Sequence, residues 1–286
     1  MLLPSVHVFA TDQVETVESG PERTVRARLI SETNDASRPF AVGIRFSIAD
    51  HWYLYWKNPG DAGLPIDVQW NLPKGFTADP LSFPVPKKKM ADDALCYIYE
   101  KDVVLMTTIR PPADYVPGTP VRITAYIDWL VCKERCVRGG DTVSLTVGSI
   151  PDDRIAASRA LLGATWAALP RPLSTQKALA ASATMVRHSR DSVLVLVAVA
   201  GKVATENTDF FPIIPDDFVL NYAAIRGSRG SFRIPLLAAT PEAQLSRLEG
   251  LLVVGNRGFE VSIPIRGADG SNTISPISSP TDSRKK

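Results

Sequence analysis

Between residues 121 and 131 apolar and polar side chains alternate. Val121, Ile123, Ala125, Ile127, Trp129 and Val131 share one side; Arg122, Thr124, Tyr126 and Asp128 share the other, and Cys132 follows on that second side. A side-chain period of two belongs to a β-strand that lays one face on a core. Ile, Val, Trp and Thr suit such a strand better than a helix. The parity also predicts that Cys132 lies on the more polar face, with its thiol at the surface.

Cys136 follows four residues later. A disulfide needs Cα atoms about 4.4–6.8 Å apart, whereas four residues of one extended strand span roughly 13 Å. One helical turn rises only about 6 Å over four residues, but the residues before Cys132 favour a strand. The simplest arrangement is a strand ending at Cys132, a turn through Lys133, Glu134 and Arg135, and a return strand from Cys136. That hairpin sets the sulfurs side by side. Lys133, Arg135 and Arg138 surround the pair, and nearby cations favour the thiolate, the nucleophile of disulfide exchange.

Four readings of the pair are open: a redox couple, an inert bridge, metal ligation, or free thiols. A ring this small removes roughly 2 kcal/mol of unfolded-state entropy, less than a long-loop bridge would. The pair is thus poorly placed as a staple, and redox exchange is the better reading. His7, His51 and His188 are scattered and form no zinc-ligand spacing with the cysteines. The exchange itself needs no metal or organic cofactor.

The alternating pattern recurs along the chain. Val25, Ala27 and Leu29, then Phe40, Val42, Ile44, Phe46 and Ile48, predict a hairpin around Asn34–Ser37. The segment HWYLYWKNPGDAGLP holds the densest aromatic cluster, Trp52, Tyr53, Tyr55 and Trp56, before an Asn58-Pro59-Gly60-Asp61 turn. It reads as a strand with core-packed aromatics, or as a platform beside the cysteines. A short strand is expected over 66–70. Residues 73–91 read as a loop, with Lys87, Lys88 and Lys89 on solvated surface. The third thiol, Cys96, reads as a packed core cysteine or as a spare thiol for the pair. Gly139 and Gly140 are expected to bend the chain before a closing strand over 142–147.

At residues 151–169 the period becomes helical, with Asp152 and Asp153 at the N-terminus and Pro170 at the stop. Alternation then returns, with two strands around Ser189-Arg190-Asp191, an apolar turn at 208–212, and strands over 227–237 and 251–265. No catalytic constellation stands out there, and His188 reads as a surface strand residue.

The fold class read from these elements is all-β: two immunoglobulin-like antiparallel β-sandwich domains joined by a short helical linker. The expected division is a tail over 1–21, a redox-active sandwich over 22–149, a linker over 150–177, a second sandwich over 178–266, and a disordered tail over 267–286. Val8-Phe9-Ala10 ahead of Thr11 resembles the end of an export signal, so residues 1–21 read as the remnant of a truncated leader. If Met1 is instead the true start, the chain is cytosolic and the dithiol stays reduced. A formal net charge of +2 argues against a nucleic-acid surface, and no apolar run reaches the ~18–20 residues of a membrane span. A monomer is expected.

The segments WYLYWKNPGDAGLP, YIYEKDVVL, DWLVCKERC, DFFPI and LEGLLVV, in that order, resemble the periplasmic N-terminal region of the DsbD/ScsB family of disulfide reductases, most closely its ScsB-like branch. The resemblance implies a periplasmic relay that takes electrons from a membrane-embedded disulfide reductase and hands them to thioredoxin-like proteins. It makes Cys132 and Cys136 the redox couple. It puts Tyr97, Tyr99 and Glu100 in a segment that covers the site, and Trp52, Tyr55 and Trp56 in the aromatic signature. Asp128, Lys133 and Arg135 complete the surround. Tyr53 stands where the family often has His, and Ile98 and Lys101 where it has glycines. The competing expectation is a binding or adhesion module of two β-sandwiches with a structural bridge.

Overall fold

The computed structural model describes residues 24–187, 189, 191–201, 207–240 and 243–267. The expected leader remnant, His7, His188 and residues 268–286 of the expected tail lie outside the described residues. The described chain is all-β apart from one α-helix and short 3-10 turns.

Ten strands make up the first half: β1 (Val25–Ser31), β2 (Phe40–Ile48), β3 (Tyr53–Gly60), β4 (Asp67–Asn71), β5 (Thr77–Ala78), β6 (Lys87–Ala91), β7 (Ala94–Glu100), β8 (Val103–Arg110), β9 (Val121–Cys132) and β10 (Cys136–Val147). They form a four-stranded sheet, β1-β2-β8-β5, and a six-stranded one, β10-β9-β3-β7-β6 with β4 beside β9. The alternating residues of β2 and β9 meet in one core. Val42, Ile44 and Phe46 of β2 are buried with Ile123, Ile127 and Trp129 of β9, and Phe46 sits edge-on to Trp129 with centroids 5.9 Å apart.

Two segments differ from the sequence reading. The stretch at 73–91 contains β5 and β6, and its lysines are engaged: Lys87 and Lys89 pair with Glu100, and Lys88 pairs with Asp209. Gly139 and Gly140 do not bend the chain but lie inside β10. A Cβ at Gly139 would sit 2.6 Å from the Trp129 indole nitrogen, and one at Gly140 2.9 Å from the Ile127 carbonyl. Glycine serves there as clearance, and the ladder to β9 runs unbroken from Cys136 to Val147.

Helix α1 (Asp152–Ala168) follows, with Asp152 and Asp153 in its first turn, where negative charge complements the helix dipole. It does more than connect. Leu162 packs with Val104 and Met106 on the outer face of the four-stranded sheet, and a Cβ at Gly43 would lie 2.7 Å from Leu162 Cδ2.

The second half holds β11 (Arg171–Pro172), β12 (Leu179–Arg187), β13 (Ser192–Gly201), β14 (Thr208–Ile213), β15 (Phe218–Leu220), β16 (Arg226–Ser228), β17 (Ser231–Ala238), β18 (Arg247–Val254) and β19 (Arg257–Gly267). The strand order is β14-β18-β19-β12-β13-β17-β15 around a second core. The pairing is not wholly antiparallel, since β19 runs parallel to both β11 and β12. Residues 208–212, expected as a turn, belong to β14. Its Phe210 faces the second core, while Phe211 faces the first, against Trp56 and Tyr97. The opposite sides of one strand thus join the two cores.

Candidate active site

Strands β9 and β10 form the expected hairpin, with Cys132 and Cys136 opposite each other, Cα atoms 4.1 Å apart and sulfurs bonded. Their surroundings are unequal. Cys132 is only 1% exposed, whereas Cys136 is exposed. This corrects the expectation of a surface thiol at Cys132. The parity holds, but that face of β9 is covered by a small apolar cluster of Tyr53, Tyr55, Cys96 and Ile98. Alternation along a strand assigns a face; it does not say what packs over it.

Tyr55 closes over the pair. Its hydroxyl donates to Cys132 Sγ at 3.2 Å and lies 3.9 Å from Cys136 Sγ. Burial, the largest cause, pushes the Tyr55 phenol well above its ordinary value, so it remains protonated and able to donate. Tyr53, opposite Cys132 in the β3–β9 ladder, stacks edge-on against Tyr55 at 5.6 Å. Lys89 Nζ stands 5.2 Å from the Tyr53 ring centroid.

A cleft of about 540 Å³ opens beside Cys136. It is lined by Lys133 and Glu134 of the hairpin tip, by Asp92 and Asp93 of the β6–β7 turn, by Tyr53, Tyr55 and Cys96, and by Asp61 and Asn221. The Asp61 carboxylate accepts from the backbone N–H groups of Leu95, Tyr222 and Ala223. It therefore ties the β7 wall of the cleft to the second half of the chain.

The other expected site residues divide between the two faces of the sheet. On β7, Cys96 and Ile98 share the face of the disulfide, while Tyr97 and Tyr99 point into the inter-sheet core. Tyr97 and Trp56 pack with Phe211, and the Tyr99 hydroxyl donates to the Pro84 carbonyl. Trp52 is half-buried against the first core. Glu100 is held by Lys87 and Lys89, whose charges and hydrogen bonds lower its pKa against the opposing pull of desolvation, the largest single influence. Tyr97, Tyr99 and Trp56 thus lie in the inter-sheet core, and Asp92 and Asp93 of the neighbouring turn line the cleft. The adjacent Asp92 and Asp93, a residue type depleted from strands, are the local signal for that turn. Asp128 lies opposite Asp67 and Gly140, exposed on β9. Lys133 and Arg135 are exposed in the turn.

Cys96 is buried, and its thiol donates to the Ala62 carbonyl at 3.5 Å. Burial, the leading cause, raises its pKa, which lowers its thiolate fraction. Strand β3 separates β7 from β9. Of its two expected uses, the packed core thiol is the one this placement favours.

Chemically, the arrangement offers one accessible sulfur, one sheltered sulfur with a hydroxyl donor, and an open space in front of the first. Among the described residues no His, Cys, Asp and Glu side chains gather into a metal-binding group, and no helix is long and apolar enough to cross a membrane.

No curated protein matches the chain in sequence. The crystal structure of the N-terminal periplasmic domain of ScsB from Proteus mirabilis is similar, with a TM-score of 0.59 at 12% sequence identity, covering 84% of this chain and 92% of that one. At that identity the likeness is one of fold. Residues 26–147 match the family described as thiol:disulfide interchange protein DsbD, N-terminal. The match spans both first-half sheets and contains the disulfide hairpin and Tyr55. The similarity to the DsbD N-terminal family is thus confined to residues 26–147, less than half of the chain.

Proposed function

We propose that the chain is a thiol–disulfide exchange protein of the periplasm, passing reducing equivalents from a membrane-embedded disulfide reductase to thioredoxin-like proteins through Cys132 and Cys136. In this reading it works as a protein-disulfide reductase domain, built as two immunoglobulin-like sandwiches over about 22–149 and 178–266. The observation that carries it is the inequality of the two sulfurs: Cys136 stands open at a cleft, and Cys132 is buried under a hydroxyl donor.

The roles follow from that inequality. A thiolate of the reductase attacks Cys136 Sγ, the Cys132–Cys136 bond breaks, and Cys132 leaves as a thiolate beside the Tyr55 hydroxyl. The reductase's second thiol then attacks its own sulfur in the mixed disulfide and releases Cys136. Two electrons and two protons have moved to this chain. In the second half-cycle the Cys136 thiolate attacks the disulfide of a thioredoxin-like protein, and Cys132 resolves the mixed disulfide. Lys133 and Arg135 favour the Cys136 thiolate. The match of residues 26–147 to the DsbD N-terminal family supports the exchange chemistry, and the ScsB fold likeness supports the architecture.

Trapping tests the assignment. Cys132→Ala should accumulate a mixed disulfide between Cys136 and a thioredoxin-like protein, and Cys136→Ala should not. Equal trapping by both variants, or by neither, would contradict it and favour a structural bridge in a binding module.

A further inference from the structure

Strand β10 ends its sheet. It pairs with β9 and, among the described residues, with no other strand. The geometry of the hairpin tip fixes which of its backbone groups are used. The Lys133 N–H donates to the Arg135 carbonyl at 3.2 Å, and the next pair outward, Cys132 and Cys136, has Cα atoms 4.1 Å apart. Opposed residues of an antiparallel ladder alternate between hydrogen-bonded pairs about 5.5 Å apart and non-bonded pairs about 4.5 Å apart. Cys132–Cys136 is thus a non-bonded pair, Val131–Val137 a bonded one, Leu130–Arg138 non-bonded and Trp129–Gly139 bonded. The N–H and C=O groups of Cys136, Arg138 and Gly140 therefore point away from β9, along the open edge. All three residues are exposed.

Little guards this edge. Sheets usually protect open edges with bulges, prolines or charges. The β9–β10 register has no bulge, β10 has no proline, and Arg138 is the one charge between Cys136 and Gly140. Gly139 and Gly140 bring no side chains to it, and the crowding against Trp129 and Ile127 accounts for glycine at both places.

We propose that the thiol-exchange partner adds an extended segment to this edge, pairing with the backbone of Cys136, Arg138 and Gly140 while its own cysteine meets Cys136 Sγ. The proposal rests on the exchange reading above and adds to it the surface that holds the partner. The occupant is a thioredoxin-like protein with an extended segment beside its cysteine, because the first free N–H and C=O of the edge belong to Cys136 itself. A strand paired there is already alongside the reacting sulfur. Backbone pairing of this kind supplies affinity without demanding a particular partner sequence, which suits a carrier serving several proteins.

The test uses the mixed disulfide of the full chain carrying Cys132→Ala with a thioredoxin that keeps only its exposed cysteine. Amide hydrogen exchange at Arg138 and Gly140 should slow at least tenfold in this complex relative to the free chain. Unchanged exchange there overturns the proposal while leaving the chemistry intact. Absence of any mixed disulfide overturns both. Slow exchange already present in the free chain would mean that the edge is paired with a second copy, and overturns the assignment of the occupant. A second variant, Arg138→Pro, removes an outward N–H and no bond to β9. Measured against Arg138→Ala, which loses the same charge but keeps the N–H, it should slow reduction of the disulfide by thioredoxin roughly five- to tenfold and leave reduction by dithiothreitol within about twofold. Equal effects on both reductants, or none on either, would contradict the docking role.

Discussion

Tyr55 is the residue on which the inequality of the sulfurs turns. Its phenol, kept protonated by burial, donates to Cys132 and not to a backbone group. A donor at that point stabilises negative charge on Cys132 when the disulfide opens, and a better leaving thiolate leaves faster. Tyr55→Phe keeps the ring against Tyr53 and removes the donor. Reduction of the disulfide by dithiothreitol should slow about three- to tenfold, with stability to urea changed by no more than about 1 kcal/mol. An unchanged rate would show that the hydroxyl is a bystander. The aromatic cluster was legible in the sequence as a possible platform, but its division was not. Tyr53 and Tyr55 lie on the disulfide's face, whereas Trp56 joins the opposite core. Likewise, period-two parity separates Cys96 and Ile98 from Tyr97 and Tyr99, once the segment is known to be a strand.

The β9–β10 hairpin was the most legible element, because both its alternation and its cysteine spacing point to one geometry. Its glycines were misread as a bend for a physical reason: glycine in a sequence signals either a special backbone angle or a close neighbour. Here the neighbour, the Trp129 ring, sits across the ladder. Gly139→Val should therefore destabilise the chain by about 1–3 kcal/mol and perturb Trp129 fluorescence. Unaltered stability and emission would contradict the packing described for this strand. Helix α1 was legible as a helix from its spacing and acidic start. Its seat on β2 and β8 was not, since a Leu162 contact with Gly43 spans more than a hundred residues and leaves no local pattern.

Across the whole molecule, the two halves share an aromatic junction. Trp56, Tyr97, Phe211 and Tyr222 pack together, Asn58 donates to the Pro212 carbonyl and the Tyr222 hydroxyl, and Asp61 holds the Tyr222 turn. The turn Asn58–Asp61 was plain in the sequence as a turn. Its partners lie more than 150 residues away, beyond what local chemistry can signal. Phe211→Ala should remove about 3–5 kcal/mol and separate the unfolding of the halves into two calorimetric steps. A single transition of unchanged midpoint would rule out a coupling role for this ring. What the junction supports, finally, is a cleft in which one disulfide is open to exchange. The most direct test is the equilibrium reduction potential of Cys132–Cys136 against a thioredoxin or glutathione couple. The account expects ready equilibration and a value above about −300 mV, in the range of exchanging pairs. A value below about −300 mV, with no reaction with thioredoxin, would make the bridge structural and contradict the account.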